Sequence, residues 1–142
     1  MKRALLGASI FLACGPSEVD RAGTASPPLQ YEEVEEFVEL PEGVELGQVT
    51  GLAVDSLDRL YVFHRAGRGF DNEEPIPEPT ILVFDTVSGR LLDAFGENLF
   101  VVPHGLAVDA NGHVWATDAR SNEVLELSSD GQVLSRWLGD EQ

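Results

Sequence analysis

Chemistry in this chain rests on a few polar residues set in two related stretches. Gly51-Leu52-Ala53-Val54-Asp55 returns 54 residues later as Gly105-Leu106-Ala107-Val108-Asp109, so positions where the copies differ are the informative ones. Thr50 in the first copy becomes His104 in the second, after Pro103, and His64-Arg65 becomes Asp118-Ala119. A histidine at the start of the strand nearest an array's axis suits a metal ligand or a hydrogen-bonding residue. One histidine is a weak zinc signal, because a stable site takes three or more protein ligands. Arg65 closes the apolar run Leu60 to Phe63, where its guanidinium suits either a bidentate clamp on a carboxylate or a surface pair with a local glutamate. His64 and His113 find no partner by spacing. Asp55 and Asp109 precede turns at matching places and read as turn caps, as does Asp118 beside Asn122. No glycine-rich phosphate loop, nucleophile elbow or nucleophilic cysteine is present in the part expected to fold.

These residues need a scaffold, and the repeat specifies it. The first copy predicts strands over Gln48–Val54, Arg59–Phe63, Thr80–Phe84 and Arg90–Phe95, with a long loop from Ala66 to Pro79. The second predicts His104–Val108, His113–Thr117, Glu123–Leu127 and Gln132–Trp137 without that insertion. Val34–Leu40 is a further predicted strand ahead of both. Asn-Gly and Asp-Gly suit the tight turns between strands, and no stretch beyond the N-terminus carries a sustained helical apolar period. Four short strands per unit make a β-propeller blade. The expectation is an all-β, incomplete propeller of about two blades, with edges and blade faces that two copies alone leave open.

The 142 residues suffice for one domain with a modest core. A formal net charge of −16 argues against nucleic acid or anionic lipid as a partner of the folded part. Glutamates crowd the stretch from Glu32 to Glu45, which serves solubility or the attraction of cations and basic peptides.

The N-terminus reads as an export signal. Lys2 and Arg3 precede an apolar run, Ala4 to Ala13, too short to span a bilayer. Residues 1–14 resemble a lipoprotein signal with Cys14 as the acylated residue, although Phe11 stands where such signals usually carry Leu, Val or Ile. Two or more acyl chains there would anchor the protein stably to a membrane. Gly15 resembles outer-membrane sorting where a cell has two membranes; ordinary secretion is the other reading. Cys14 is the single cysteine, which leaves no intrachain disulfide. Residues 15–31 read as a flexible tether and residues 32–142 as the partial propeller.

Several strings resemble the peptidyl-α-hydroxyglycine α-amidating lyase family. They are Gly47 to Asp55, Tyr61-Val62-Phe63-His64-Arg65, Thr80 to Asp85, Glu97-Asn98-Leu99-Phe100 and Val102-Pro103-His104-Gly105-Leu106. Val114-Trp115-Ala116-Thr117-Asp118 is shared more widely with NHL-repeat propellers. The resemblance runs from about Glu45 to Trp137 and implies a six-bladed propeller. Its reaction splits the carbinolamide N–C bond of a C-terminal α-hydroxyglycine, giving a peptide amide and glyoxylate. It further implies His104 as one of three zinc ligands and Arg65 as the active-site arginine that positions substrate. Leu52 and Leu106 correspond to residues whose backbone carbonyls hold a structural calcium. The other two zinc histidines and the catalytic tyrosine have no counterpart here: Tyr31 and Tyr61 do not match the tyrosine, nor His64 and His113 the histidines. The expectation is a chain that resembles the lyase but is inactive as an isolated fragment, unless copies associate to complete the ring. The alternatives are a non-catalytic NHL-repeat binding module on the cell envelope and, less strongly, another hydrolase of the fold such as a lactonase.

Overall fold

The computed structural model describes residues 30–35 and 37–139. The expected signal, Cys14 and nearly all of the expected tether lie outside the described residues. Eight strands form two four-stranded antiparallel sheets. The first holds β1 (Val49–Val54), β2 (Arg59–His64), β3 (Ile81–Asp85) and β4 (Leu91–Phe95), in that order across the sheet. The second holds β5 (Pro103–Val108), β6 (Val114–Asp118), β7 (Glu123–Leu127) and β8 (Val133–Leu138), again in chain order. Each is a meander of the kind that builds a propeller blade.

Matching aspartates close the first hairpin of each blade. Asp55 Oδ1 accepts from the backbone N–H of Leu57 (2.9 Å) and Arg59 (3.0 Å). Asp109 Oδ1 accepts from Asn111 (2.8 Å) and His113 (3.0 Å). The second carboxylate oxygen takes an aromatic donor from the following strand, Tyr61 Oη at 3.3 Å in one blade and Trp115 Nε1 at 3.2 Å in the other. The repeat in sequence is a repeat of this turn chemistry.

Alternation along the strands builds the core. Tyr61, Phe63, Ile81 and Val83 turn one face of the first blade onto Val114, Ala116, Leu125 and Leu127 of the second, with Phe100 completing the cluster. Phe63 and Phe100 meet edge to face at 4.8 Å. Burial of such side chains contributes about 1.5–3 kcal/mol each. Where the inner strands β1 and β5 approach, a Cβ added to Gly51 would lie 2.7 Å from Leu106 Cβ and 2.9 Å from its backbone nitrogen. Only glycine admits that spacing.

The opposite face of the first blade, with Val62, Leu82 and Phe84, is covered by Val38, Val44 and Leu46. Here the expectation of a strand over Val34–Leu40 is corrected. In this stretch Glu39 forms only an isolated parallel bridge to Arg90, with its N–H bonded to the Gly89 carbonyl at 2.9 Å. Pro41 and the left-handed Gly43 (φ 83°) turn the chain away before pairing can extend. The opposite face of the second blade carries Trp115 stacked on Trp137 (5.3 Å, 16°), beside exposed Val124.

The insertion between β2 and β3 is pinned at several points. Ile76 is buried, and its N–H donates to the Phe100 carbonyl at 2.8 Å. Asn72 Nδ2 donates to Val101 O at 2.7 Å, and Arg120 Nε to Asn72 O at 3.2 Å. The insertion thereby crosses from the first blade to the second.

Candidate functional site

His64 and Arg65, adjacent in sequence, part company in space. Strand alternation sends His64 to the face shared with Val62 and Leu82, where it lines a cavity of about 330 Å³ with Leu82, Leu91 and Ala94. Its Nδ1 lies 2.6 Å from Leu46 O and 3.1 Å from the Ala66 backbone nitrogen, and its buried Nε2 makes no hydrogen bond among the described residues. Burial holds its pKa below the ordinary 6.5, against the opposing pull of the Leu46 carbonyl.

Arg65 instead faces the junction of the blades and is only 8% exposed. Its backbone N–H donates to Gln48 O (3.1 Å) and its Nη1 to Gln48 Oε1 (2.6 Å). Nε donates to Pro103 O at 3.1 Å, and the guanidinium carbon lies 5.0 Å from the centre of the Phe70 ring. The surface pairing with a glutamate, one of the two readings of this residue, is absent: Arg65 forms no ion pair among the described residues, and two of its donors are spent on neutral acceptors. Nη2 carries no hydrogen bond among the described residues, which leaves that donor of the fork for an anion.

His104 sits in a β-bulge. Pro103 pairs with Asp118 and Gly105 with Thr117, which leaves His104 as the extra residue between them. The first blade has the same irregularity between Val49 and Gly51, with Thr50 as the extra residue. Bulges re-aim a side chain relative to its strand. The His104 side chain is exposed, beside a cavity of about 350 Å³ that it lines with Thr117, Asp118, Asn122, Glu123 and Trp137. Because Arg65 is bonded to Pro103, the arginine and the histidine are neighbours across the two blades.

Asp118, read from sequence as a turn residue, does more than that. Its carboxylate is buried and accepts four backbone N–H bonds: Val101 (2.6 Å) and Val102 (2.8 Å) on Oδ2, Arg120 (2.8 Å) and Ser121 (2.9 Å) on Oδ1. It therefore sets the segment that leads into Pro103-His104. His113 pairs with Glu126 across the β6–β7 ladder (2.8 Å), a cross-strand partner that linear spacing does not reveal. Gln48, inside the Gly47 to Asp55 string, and Phe70, in the long loop, hold Arg65, a role that neither position showed in the sequence.

A zinc ion does not fit the described residues by themselves. No three His, Cys, Asp or Glu side chains converge among them, so His104 supplies a single donor where a stable site takes three or more. Leu52 and Leu106 lie in the inner strands β1 and β5, and two carbonyls fall short of the six to eight oxygens that calcium takes. Among the described residues no helix is long and apolar enough to cross a membrane.

The NHL repeat family matches residues 100–126, which run from before β5 into β7. The mouse peptidyl-glycine alpha-amidating monooxygenase is 39% identical over 138 residues, covering 84% of this chain and 13% of that protein. A probable peptidyl-alpha-hydroxyglycine alpha-amidating lyase of Caenorhabditis elegans is 34% identical over 108 residues, covering 68% of this chain and 31% of that one. Among solved structures, a gluconolactonase of Xanthomonas campestris aligns with a TM-score of 0.42 at 28% identity, over 63% of this chain and 27% of its own. The chain thus spans between about an eighth and a third of the length of these curated relatives. Two antiparallel four-stranded blades and the NHL match make this an incomplete NHL-type β-propeller, related to the amidating lyases it resembles in sequence.

Proposed function

We propose that this chain carries the arginine and histidine sector of a peptidyl-α-hydroxyglycine α-amidating lyase. The carrying observation is the Arg65 fork: Nη1 and Nε are fixed by Gln48 and by Pro103, the residue before the His104 bulge, and Nη2 has no hydrogen bond among the described residues. A carboxylate is the natural partner of that donor, held by charge-assisted hydrogen bonds about twice as strong as neutral ones. The substrate class is a peptide ending in α-hydroxyglycine, whose terminal carboxylate Arg65 orients. Similarity to proteins named for amidation supports this choice of peptide.

His104 is proposed as one zinc ligand, with the remaining ligands from outside the described residues. By itself the chain is expected to bind substrate and release no glyoxylate. Self-association is proposed as the route by which a ring could be completed, and acylation of Cys14 as the route to a membrane-anchored, exported protein.

A non-catalytic binding module on the cell envelope is the second reading, favoured by the single metal donor at His104. A synthetic peptidyl-α-hydroxyglycine titrated into wild type and Arg65→Ala by calorimetry, with glyoxylate assayed in parallel across added zinc, tests both. Loss of at least about tenfold in affinity in the variant supports the carboxylate site. Equal binding by the two proteins sinks it. Zinc-dependent glyoxylate release by the monomer would overturn the view that this sector alone is inactive.

A further inference from the structure

The geometry points to a subsite beside Arg65 that accepts the side chain of the residue preceding the hydroxyglycine, with a preference for aromatic and large aliphatic groups. The inference rests on the lyase reading, because Arg65 must hold the terminal carboxylate for the subsite to be in register.

A cavity of about 220 Å³ is lined by Phe70, Val102, Ala119 and Arg120. Three features tie it to Arg65. Phe70 forms one wall and at the same time flanks the guanidinium at 5.0 Å, while 59% of the residue stays exposed. Val102, another wall, directly precedes Pro103, whose carbonyl takes the Arg65 Nε–H. Ala119 closes the floor through its N–H to Val102 O at 2.9 Å. The cavity is therefore made by the insertion of the first blade and the β6–β7 loop of the second. It is held in place by Asn72 O, which accepts from Arg120 Nε at 3.2 Å.

The distances suit consecutive residues of one peptide. Neighbouring Cα atoms lie about 3.8 Å apart, and the step from the Arg65 guanidinium to the Phe70 ring centre is 5.0 Å. A peptide whose carboxylate is bound at Arg65 Nη2 can thus lay its next side chain against Phe70. The apolar part of that surface, the Phe70 ring with Val102 and Ala119, rewards an aromatic or branched group by removing it from water. Arg120 at the rim has only one distant acidic neighbour, Glu73 at 3.9 Å and itself 80% exposed, so a cationic side chain gains nothing there.

The test uses the full chain and three acetylated peptides ending Phe-, Ala- and Lys-α-hydroxyglycine, with affinities read by calorimetry. The Phe peptide is expected to bind about tenfold more tightly than the Ala peptide, and the Lys peptide no better than Ala. Ala119→Leu, at an exposed position, narrows the cavity. It should bring the Phe peptide to within about twofold of the Ala peptide. Phe70→Ala should do the same to the Phe advantage. Equal affinity for Phe and Ala peptides in wild type, or a Phe advantage that survives Ala119→Leu, overturns the subsite and leaves the carboxylate site standing. No binding of any of the three overturns both together.

Discussion

Arg65 donates through Nε to the carbonyl of Pro103 across 3.1 Å, so the arginine that directly follows β2 is clipped to the residue before His104 at the start of β5. A single hydrogen bond thereby couples two candidate site residues that stand in different blades. Arg65→Lys keeps the charge and loses the planar fork, so it cannot serve Pro103, Gln48 and a carboxylate together. The expected outcome is a loss of about 1–3 kcal/mol in urea unfolding together with loss of carboxylate-peptide binding. A lysine variant that binds as wild type would show that charge alone, without the fork, does the work.

Gly51→Ala should be among the costly small substitutions. Its added methyl meets Leu106 Cβ and backbone, which belong to the packed junction of the inner strands and cannot swing aside. Overpacking of this kind costs about 1–3 kcal/mol. The denaturation midpoint is the measurement, and an unchanged midpoint would mean that the blades separate more easily than the structure indicates.

Asp118→Ala leaves the N–H groups of Val101, Val102, Arg120 and Ser121 without their acceptor. Orphaned buried donors cost about 1–3 kcal/mol each before relaxation and water entry. Hydrogen exchange should therefore accelerate at residues 101–104 and 119–121 while β2 and β3 stay protected. Uniform exchange throughout the chain would contradict the local role.

Acid should weaken the fold in two separate windows. For His64, burial lowers the folded pKa below 6.5, so the unfolded chain takes up the proton first. Its contribution is whole above 6.5 and declines as pH falls from 6.5 toward the folded value. For Asp55, burial alone would raise the pKa, but the Arg59 backbone N–H, its side chain and the Leu57 N–H together hold it below 3.8. For Asp109, burial is likewise outweighed, by the Trp115 donor and the His113 and Asn111 N–H groups. Stability from both turns is present above 3.8 and is lost as pH falls through their lower folded values. Unfolding titrations of His64→Gln should lose the upper slope only, and Asp55→Asn with Asp109→Asn the lower slope only.

The blades themselves were legible in the chain, because a blade is local. Strand alternation, the Asp-initiated turns and the copy of Gly51 to Asp55 at Gly105 to Asp109 all act within about fifty residues, and each of the eight strands lies within a residue or so of where the pattern put it. Val34–Leu40 misled for the same reason: its composition suits a strand, but Pro41 and Gly43 end it before a ladder can form. Sequence also singled out Arg65 and His104 as the positions where the copies diverge. Only the tertiary structure brought Arg65 onto the carbonyl of Pro103, the residue before His104. The hydrogen bond from Arg65 to Pro103, the Phe70 ring on the guanidinium and the Val101 and Val102 N–H groups on Asp118 join residues 5 to 38 positions apart. Which face of β2 holds His64 and which holds Arg65 follows from pleat and packing. Residue identities therefore determined which side chains could bind an anion or a metal. The meeting of the two blades, driven by burial of Tyr61, Phe63, Val114 and Leu125 in one cluster, decided which of them stand together.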